Sequence, residues 1–255
     1  MKLKKWLSTI LAVVTVFTTL SLTACGFGQS SSSSAKSGKV IDYGNIVMSC
    51  LGDSITDEVN GEKYPSLLQD EYGFKAVNNY AKSGATISTL KTNNLQQQIE
   101  NVDKDSDIIS VLAGVNDFKY ASTPIGKKGF TDTNTFYGAV ETLIKGLKAR
   151  CPNAYIFFMT PYKCSGYDQE NKEFKILADY ANVIQELCQQ YKLDCLNLFV
   201  NGGFDYNNAM YTIDGLHPLG RFYEEYTAPM VGEFIAENYP NFAKAKMKQE
   251  VAVDA

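Results

Sequence analysis

Between residues 40 and 242 the chain predicts one α/β domain, a parallel sheet with helices packed on both faces. Two observations carry that reading. Short apolar runs alternate with longer amphipathic segments throughout, which is the pattern of strand–helix units rather than of hairpins. Two of those runs, Ile108-Ile109-Ser110-Val111-Leu112 and Ile156-Phe157-Phe158-Met159, are almost wholly apolar, as central strands covered on both faces must be.

In chain order, strands are predicted over 46–51, 75–79, 107–113, 154–160 and 193–199. Helices are predicted over 64–72, 87–102, 134–150, 173–191 and 219–238. Within 134–150, Phe136, Val140, Leu143, Ile144 and Leu147 recur at helical spacing, so that face belongs to the core. No internal repeat is visible. Residues 243–255 are charged and read as a frayed tail outside the domain.

Residues 1–24 read as a processing signal rather than as part of the fold. Lys2, Lys4 and Lys5 form a basic start, 6–22 is mainly apolar, and Leu22-Thr23-Ala24-Cys25 resembles a bacterial lipoprotein box. In that reading the Cys25 thiol is lipidated and becomes the mature N-terminus, anchoring an exported protein to the outer face of a membrane. An uncleaved membrane anchor is the alternative, but Thr9, Thr15, Thr18, Thr19 and Ser21 interrupt a run barely long enough to span. Residues 25–39 include Ser30 to Ser34 and are too polar to bury a core, so they predict a flexible tether.

Composition excludes several functions. The net charge of −4 leaves no basic field for nucleic acid, and no partner of that kind is expected. Beyond Cys25 stand Cys50, Cys151, Cys164, Cys188 and Cys195, an odd number with no CxxC spacing for zinc or redox work. Cys50 reads as a plain buried thiol, whereas Cys188 and Cys195 flank a helix-to-strand turn where a bridge is conceivable. With one histidine there is no HExxH site, and neither a Walker A loop, a post-strand GxGxxG nor a GxSxG elbow is present. No cofactor is implied.

In open α/β sheets chemistry collects outside the carboxyl ends of the strands, and the polar motifs of this chain fall there. After the first strand, Gly52-Asp53-Ser54 can expose a hydroxyl beside free backbone N–H groups, although it can equally be a turn with a helix cap. After the second, Gly84 can aim its N–H at a ligand oxygen or serve as a turn glycine. After the third, Asn116 in Gly114-Val115-Asn116-Asp117 can present an amide donor or punctuate a loop. After the fifth comes Asp214-Gly215-Leu216-His217-Pro218 with the chain's single histidine. A carboxylate three residues upstream can orient its ring and leave Nε2 free to take a proton from a hydroxyl.

Each motif is ambiguous alone, but their joint order closely resembles the SGNH/GDSL hydrolase family, from about Val47 to Pro218. The resemblance implies a three-layer α/β/α sandwich around a five-stranded parallel sheet, and a serine ester hydrolase working through an acyl-enzyme. It implies Ser54 as nucleophile, His217 as base and Asp214 as its orienting group. The N–H groups of Ser54 and Gly84 with the Asn116 side chain would form the oxyanion hole, while Asp53 and Asp117 hold loops.

Substrate is less legible. Tyr120, Phe130, Tyr162, Tyr167, Phe204, Tyr206 and Tyr211 lie in the loops expected to set specificity, where they can flank a sugar-binding pocket or simply pack those loops. No long apolar lid segment is present. The expectation is removal of short acyl, chiefly acetyl, groups from extracellular carbohydrate, with short-chain lipid ester or thioester cleavage as the alternative. A catalytically idle sugar-binding module is the rival of another class, against which the joint presence of Ser54, Asn116, Asp214 and His217 argues.

Overall fold

The computed structural model describes residues 42–253. The predicted signal, the lipidation site Cys25 and the tether therefore lie outside the described residues. Five strands, β1 (Val47–Gly52), β2 (Ala76–Asn79), β3 (Ile108–Leu112), β4 (Tyr155–Met159) and β5 (Asp194–Leu196), pair in parallel throughout in the order β2-β1-β3-β4-β5. The apolar character of β3 and β4 has its expected consequence, because every residue of both strands is buried.

Four longer helices flank the sheet: α1 (Tyr64–Tyr72), α2 (Phe136–Arg150), α3 (Leu177–Tyr191) and α4 (Ala228–Val253). α1 packs with α4, and α2 packs with α3, so helices form two layers about the sheet. Their ends are chemically specified. Pro65 opens the first turn of α1 and Gly73 closes the helix in the left-handed conformation. The Thr135 hydroxyl accepts the Gly138 N–H at the start of α2. The Asp179 carboxylate accepts the Ile176 N–H at the start of α3.

Strand order reverses between β1 and β3. The chain leaves β1 toward β2 on one side and returns to β3 on the other, opening a crevice at their carboxyl ends. The Gly-Asp-Ser segment leaves β1 at that point and the Asn116 segment leaves β3 beside it. Topology alone thus brings together motifs far apart in sequence.

Several boundaries differ from expectation. The helix predicted over 87–102 shrinks to Leu95–Gln98 with a 3₁₀ turn, Ile99–Asn101. The Ile87 and Ser88 N–H groups donate to the Asp117 carboxylate and Thr89 N–H to the Thr133 carbonyl, which diverts the backbone from helical bonding. α3 begins four residues later than predicted, because Phe174 has φ of 56° and Asn171 Oδ1 captures the Glu173 and Lys175 N–H groups. β5 ends at Leu196, since the Asn197 side chain caps a short helical turn, Leu198–Asn201. At the C-terminus the helix does not end at 238. It opens with Gly220–Phe222, widens into a π-helical turn, Tyr223–Thr227, and then runs through Pro240 to Val253. Ala, Lys, Met, Gln and Glu dominate its last dozen residues, and these are strong helix formers.

Among the described residues the five cysteines are all thiols. Cys188 and Cys195 are adjacent and hydrogen-bonded rather than bridged. Burial pushes the Cys50 thiol up to about 12, the mark of an inert core residue.

Candidate active site

Ser54 sits in the turn after β1, where the chain doubles back on Asp53. The Thr56 and Asp57 N–H groups donate to the Asp53 carbonyl, and the Ile55 N–H donates to Asp53 Oδ1. The turn can form because position 52 carries no side chain. A Cβ there would stand 2.6 Å from both the Leu112 carbonyl oxygen and Thr56 Oγ1. With its neighbours folded inward, Ser54 N–H has no acceptor among the described residues.

His217 reaches the same point from the loop before α4. Ser54 Oγ lies 2.9 Å from His217 Nε2, and His217 Nδ1 lies 2.6 Å from Asp214 Oδ2. A carboxylate only accepts, so the proton of the neutral ring stands on Nδ1 and Nε2 is turned to the hydroxyl as acceptor. Asp214 is itself fixed, its Oδ1 accepting from Leu216 N–H at 2.9 Å and His217 N–H at 2.8 Å. Partial burial works to raise its pKa, but the His217 ring and these two backbone donors outweigh that and hold the carboxyl well below the usual range. Asp214 is therefore ionised wherever the ring works as a base.

Gly84 and Asn116 arrive from β2 and β3. Gly84 has φ of 77°, in the left-handed region that favours glycine, and its N–H has no acceptor among the described residues. The loop carrying it is tied to the Ser54 turn. Lys82 N–H donates to the Gly52 carbonyl, and both Ser83 N–H and Ser83 Oγ donate to Asp57 Oδ2 at 2.7 Å. Asn116 Nδ2 gives one hydrogen to the Ala85 carbonyl at 2.9 Å and keeps a second. Donor hydrogens on Ser54, Gly84 and Asn116 are thereby left without an acceptor among the described residues.

The two motif aspartates sit beneath this surface. Asp117 is fully buried and accepts from Ile87 and Ser88 N–H groups and from Thr123 Oγ1, tying the loop after β3 to the loop after β2. Burial raises its pKa against the pull of those hydrogen bonds. Burial likewise drives Asp53 up to about 7, and its Oδ2 finds no partner among the described residues. Both π-helical turns adjoin the site, one starting at Asp117 and the other at Tyr223.

A cleft of about 420 Å³ opens on the His217 side of Ser54, lined also by Glu62, Lys63, Ile213, Leu219, Gly220 and Glu224. None of the loop aromatics named as candidate flanking residues lines it. Tyr162 and Phe204 pack edge-on against Phe222, Tyr167 packs against Tyr206 and Phe199, and Tyr211 packs against Phe222 and Tyr226, while Tyr120 and Phe130 are exposed. Packing is the role that holds for the inward-facing ones. Sequence reasoning passed over the cleft wall formed by Glu62, Lys63 and Glu224, because only the fold brings the start of α1 to the start of the C-terminal helix. Among the described residues there is no cluster of side chains arranged to hold a metal ion, and no helix is long and apolar enough to cross a membrane.

The fold and site define an α/β/α domain with a Ser–His–Asp hydrogen-bonded chain at its switch point. Residues 50–224 match the GDSL-like lipase/acylhydrolase family, and the chain belongs to it. A solved protein of Lactobacillus plantarum is 26% identical and superposes with a TM-score of 0.68, covering 76% of this chain and 98% of its own. An acetyl xylan esterase, AlAXEase, is 20% identical with a TM-score of 0.57, over 74% of this chain and 100% of its own. A phospholipase A1 of Streptomyces albidoflavus NA297 is 15% identical with a TM-score of 0.53, over 74% and 99%. The last two share the fold. No curated protein matches the chain.

Proposed function

We propose that this protein is a serine ester hydrolase acting through an acyl-enzyme. The observation that carries the reading is the unbroken chain from Ser54 Oγ to His217 Nε2, and from His217 Nδ1 to Asp214, at the mouth of an open cleft. His217 Nε2 takes the hydroxyl proton as Ser54 Oγ bonds to the ester carbonyl carbon. Negative charge on the carbonyl oxygen is met in this reading by the Ser54 and Gly84 N–H groups and Asn116 Nδ2, whose free hydrogens support the assignment. The leaving alkoxide takes the proton from His217 as its C–O bond breaks. Water then gives a proton to His217 and its oxygen to the acyl carbon, releasing the carboxylic acid and restoring Ser54.

The substrate we infer is a short acyl ester, chiefly acetyl, on an extracellular carbohydrate. Its support is the character of the cleft, where Glu62, Lys63 and Glu224 offer hydrogen-bonding groups for hydroxyls and the apolar wall is limited to Ile213, Pro218 and Leu219. Such a wall accommodates a small acyl group better than a long chain. Acetylated oligosaccharides are expected to be turned over with higher kcat/KM than 4-nitrophenyl esters of long fatty acids. Initial rates across acyl chains of rising length check this, and a rate that climbs with chain length would favour lipid esters instead.

We also propose that the protein is exported and held at a membrane by lipid on Cys25, on the strength of the basic start, the apolar run and Leu22-Thr23-Ala24-Cys25. Cys25→Ser is expected to move it from the membrane fraction to the soluble fraction. Retention of the variant in membranes with residues 1–24 uncleaved would instead identify a membrane anchor.

A further inference from the structure

Lys63 is an anomaly in the cleft wall. It is only 6% exposed, yet among the described residues its Nζ makes neither a hydrogen bond nor an ion pair. The residue is largely buried, but its ammonium keeps access to solvent at the cleft and has no direct partner among the described residues, so a ligand from outside can complete it. Glu62, next to it in sequence, is exposed and makes no ion pair with it among the described residues, and Asp57 and Glu58 are engaged elsewhere. Asp57 Oδ2 accepts from Ser83 N–H and Oγ, and Glu58 Oε1 accepts the Ser66 N–H in the first turn of α1. Burial lowers the Lys63 pKa, while the fields of Asp57 and Glu58 work to keep it charged.

The ammonium is also held in place. Nζ stands 4.8 Å from the centroid of the Tyr223 ring, and Tyr223 OH donates to the Ile55 carbonyl at 2.7 Å, next to Ser54 in the chain. The π-helical turn that begins at Tyr223 sets this ring under the lysine. A cation on a fixed aromatic platform, facing the cleft that contains Ser54 and His217, is arranged to receive an anion.

The side of the cleft says which part of the substrate carries that anion. The lining includes His217, Pro218 and Leu219 but neither Gly84 nor Asn116. His217 Nε2 must reach the leaving oxygen, so the alcohol portion of the ester lies on its side of Ser54. Glu62 and Glu224 border the same cleft and are exposed. Their charges repel a row of anions and leave room for one group at Lys63.

Resting on the ester-hydrolase reading, we propose that Lys63 is a specificity-determining residue that binds a single anionic group, carboxylate or phosphate, on the alcohol portion of the substrate. The test compares kcat/KM for matched pairs: an acetylated glucuronic acid against its methyl ester, and an acetylated glucose 6-phosphate against the same acetylated glucose. The wild type is expected to prefer at least one acidic member over its neutral partner by about 10- to 100-fold, the range of a charge-assisted hydrogen bond. Which pair shows the preference separates a carboxylate from a phosphate source. Lys63→Met and Lys63→Gln are expected to bring that ratio close to one, chiefly by raising KM for the acidic member, and Lys63→Arg to retain most of it. Being a ratio within one variant, the readout is insensitive to a general loss of active enzyme. A wild type that prefers the neutral member of both pairs or discriminates in neither overturns the proposal, as does a preference that survives in Lys63→Met or Lys63→Gln. Turnover of the neutral members by wild type tests the ester-hydrolase reading separately, and its absence together with that of the acidic members would refute both.

Discussion

Replacing Ser54 by Ala is expected to lower kcat on an acetyl ester by a factor on the order of 10⁴–10⁶, with the fold intact. Among the described residues the only hydrogen bond of Ser54 Oγ is the one to His217 Nε2, so truncation removes the attacking atom while leaving every loop contact described above in place. His217→Ala should cause a loss of similar size. In the proposed mechanism the two groups perform one proton transfer, so the double variant should be little slower than either single one. Rates of the three variants, with circular dichroism to verify folding, check the expectation. If the two losses multiplied in the double variant, Ser54 and His217 would not form a single relay.

Asn116→Ala is expected to reduce kcat by about 10²–10³ with KM little changed, since a donor to the oxyanion matters only once charge has developed. The truncation also releases the Ala85 carbonyl from its 2.9 Å bond to Nδ2, which loosens the peptide beside Gly84. Both consequences weaken the same transition state, so the effect belongs at the upper end of that range. Steady-state kinetics on a neutral acetyl ester give the answer. A change confined to KM would make Asn116 a substrate-binding residue.

The sheet and its sequence-distant site were largely legible because the signals were redundant. Strands 108–112 and 155–159 announce themselves as central by an almost wholly apolar composition, and they are buried throughout. The four polar motifs each follow a strand, so a parallel sheet with a switch point leaves them one place to meet. The failures have particular causes. Ile87 and Leu95 fit a helical pattern, but Asp117, thirty residues downstream of Ile87 in sequence, captures the backbone donors of 87 and 88. The widened turn at Tyr223 leaves no local signature, since it is fixed by long-range partners such as Tyr162 OH on Thr227 Oγ1 at 2.9 Å. Lys63 carries no signal of its own in the sequence, where it only precedes the helix predicted over 64–72. Its significance arises only when the C-terminal helix brings Tyr223 beneath it and the cleft opens in front.

The claim on which the account turns is a covalent intermediate on Ser54. The direct measurement is mass spectrometry of peptides from enzyme acid-quenched during turnover of an activated acetyl ester under substrate excess. An acetyl group is expected on the peptide containing Ser54, absent from Ser54→Ala and from enzyme that has consumed its substrate. Undiminished turnover by Ser54→Ala, or an acetyl group that builds up and turns over on a different residue, would contradict the account.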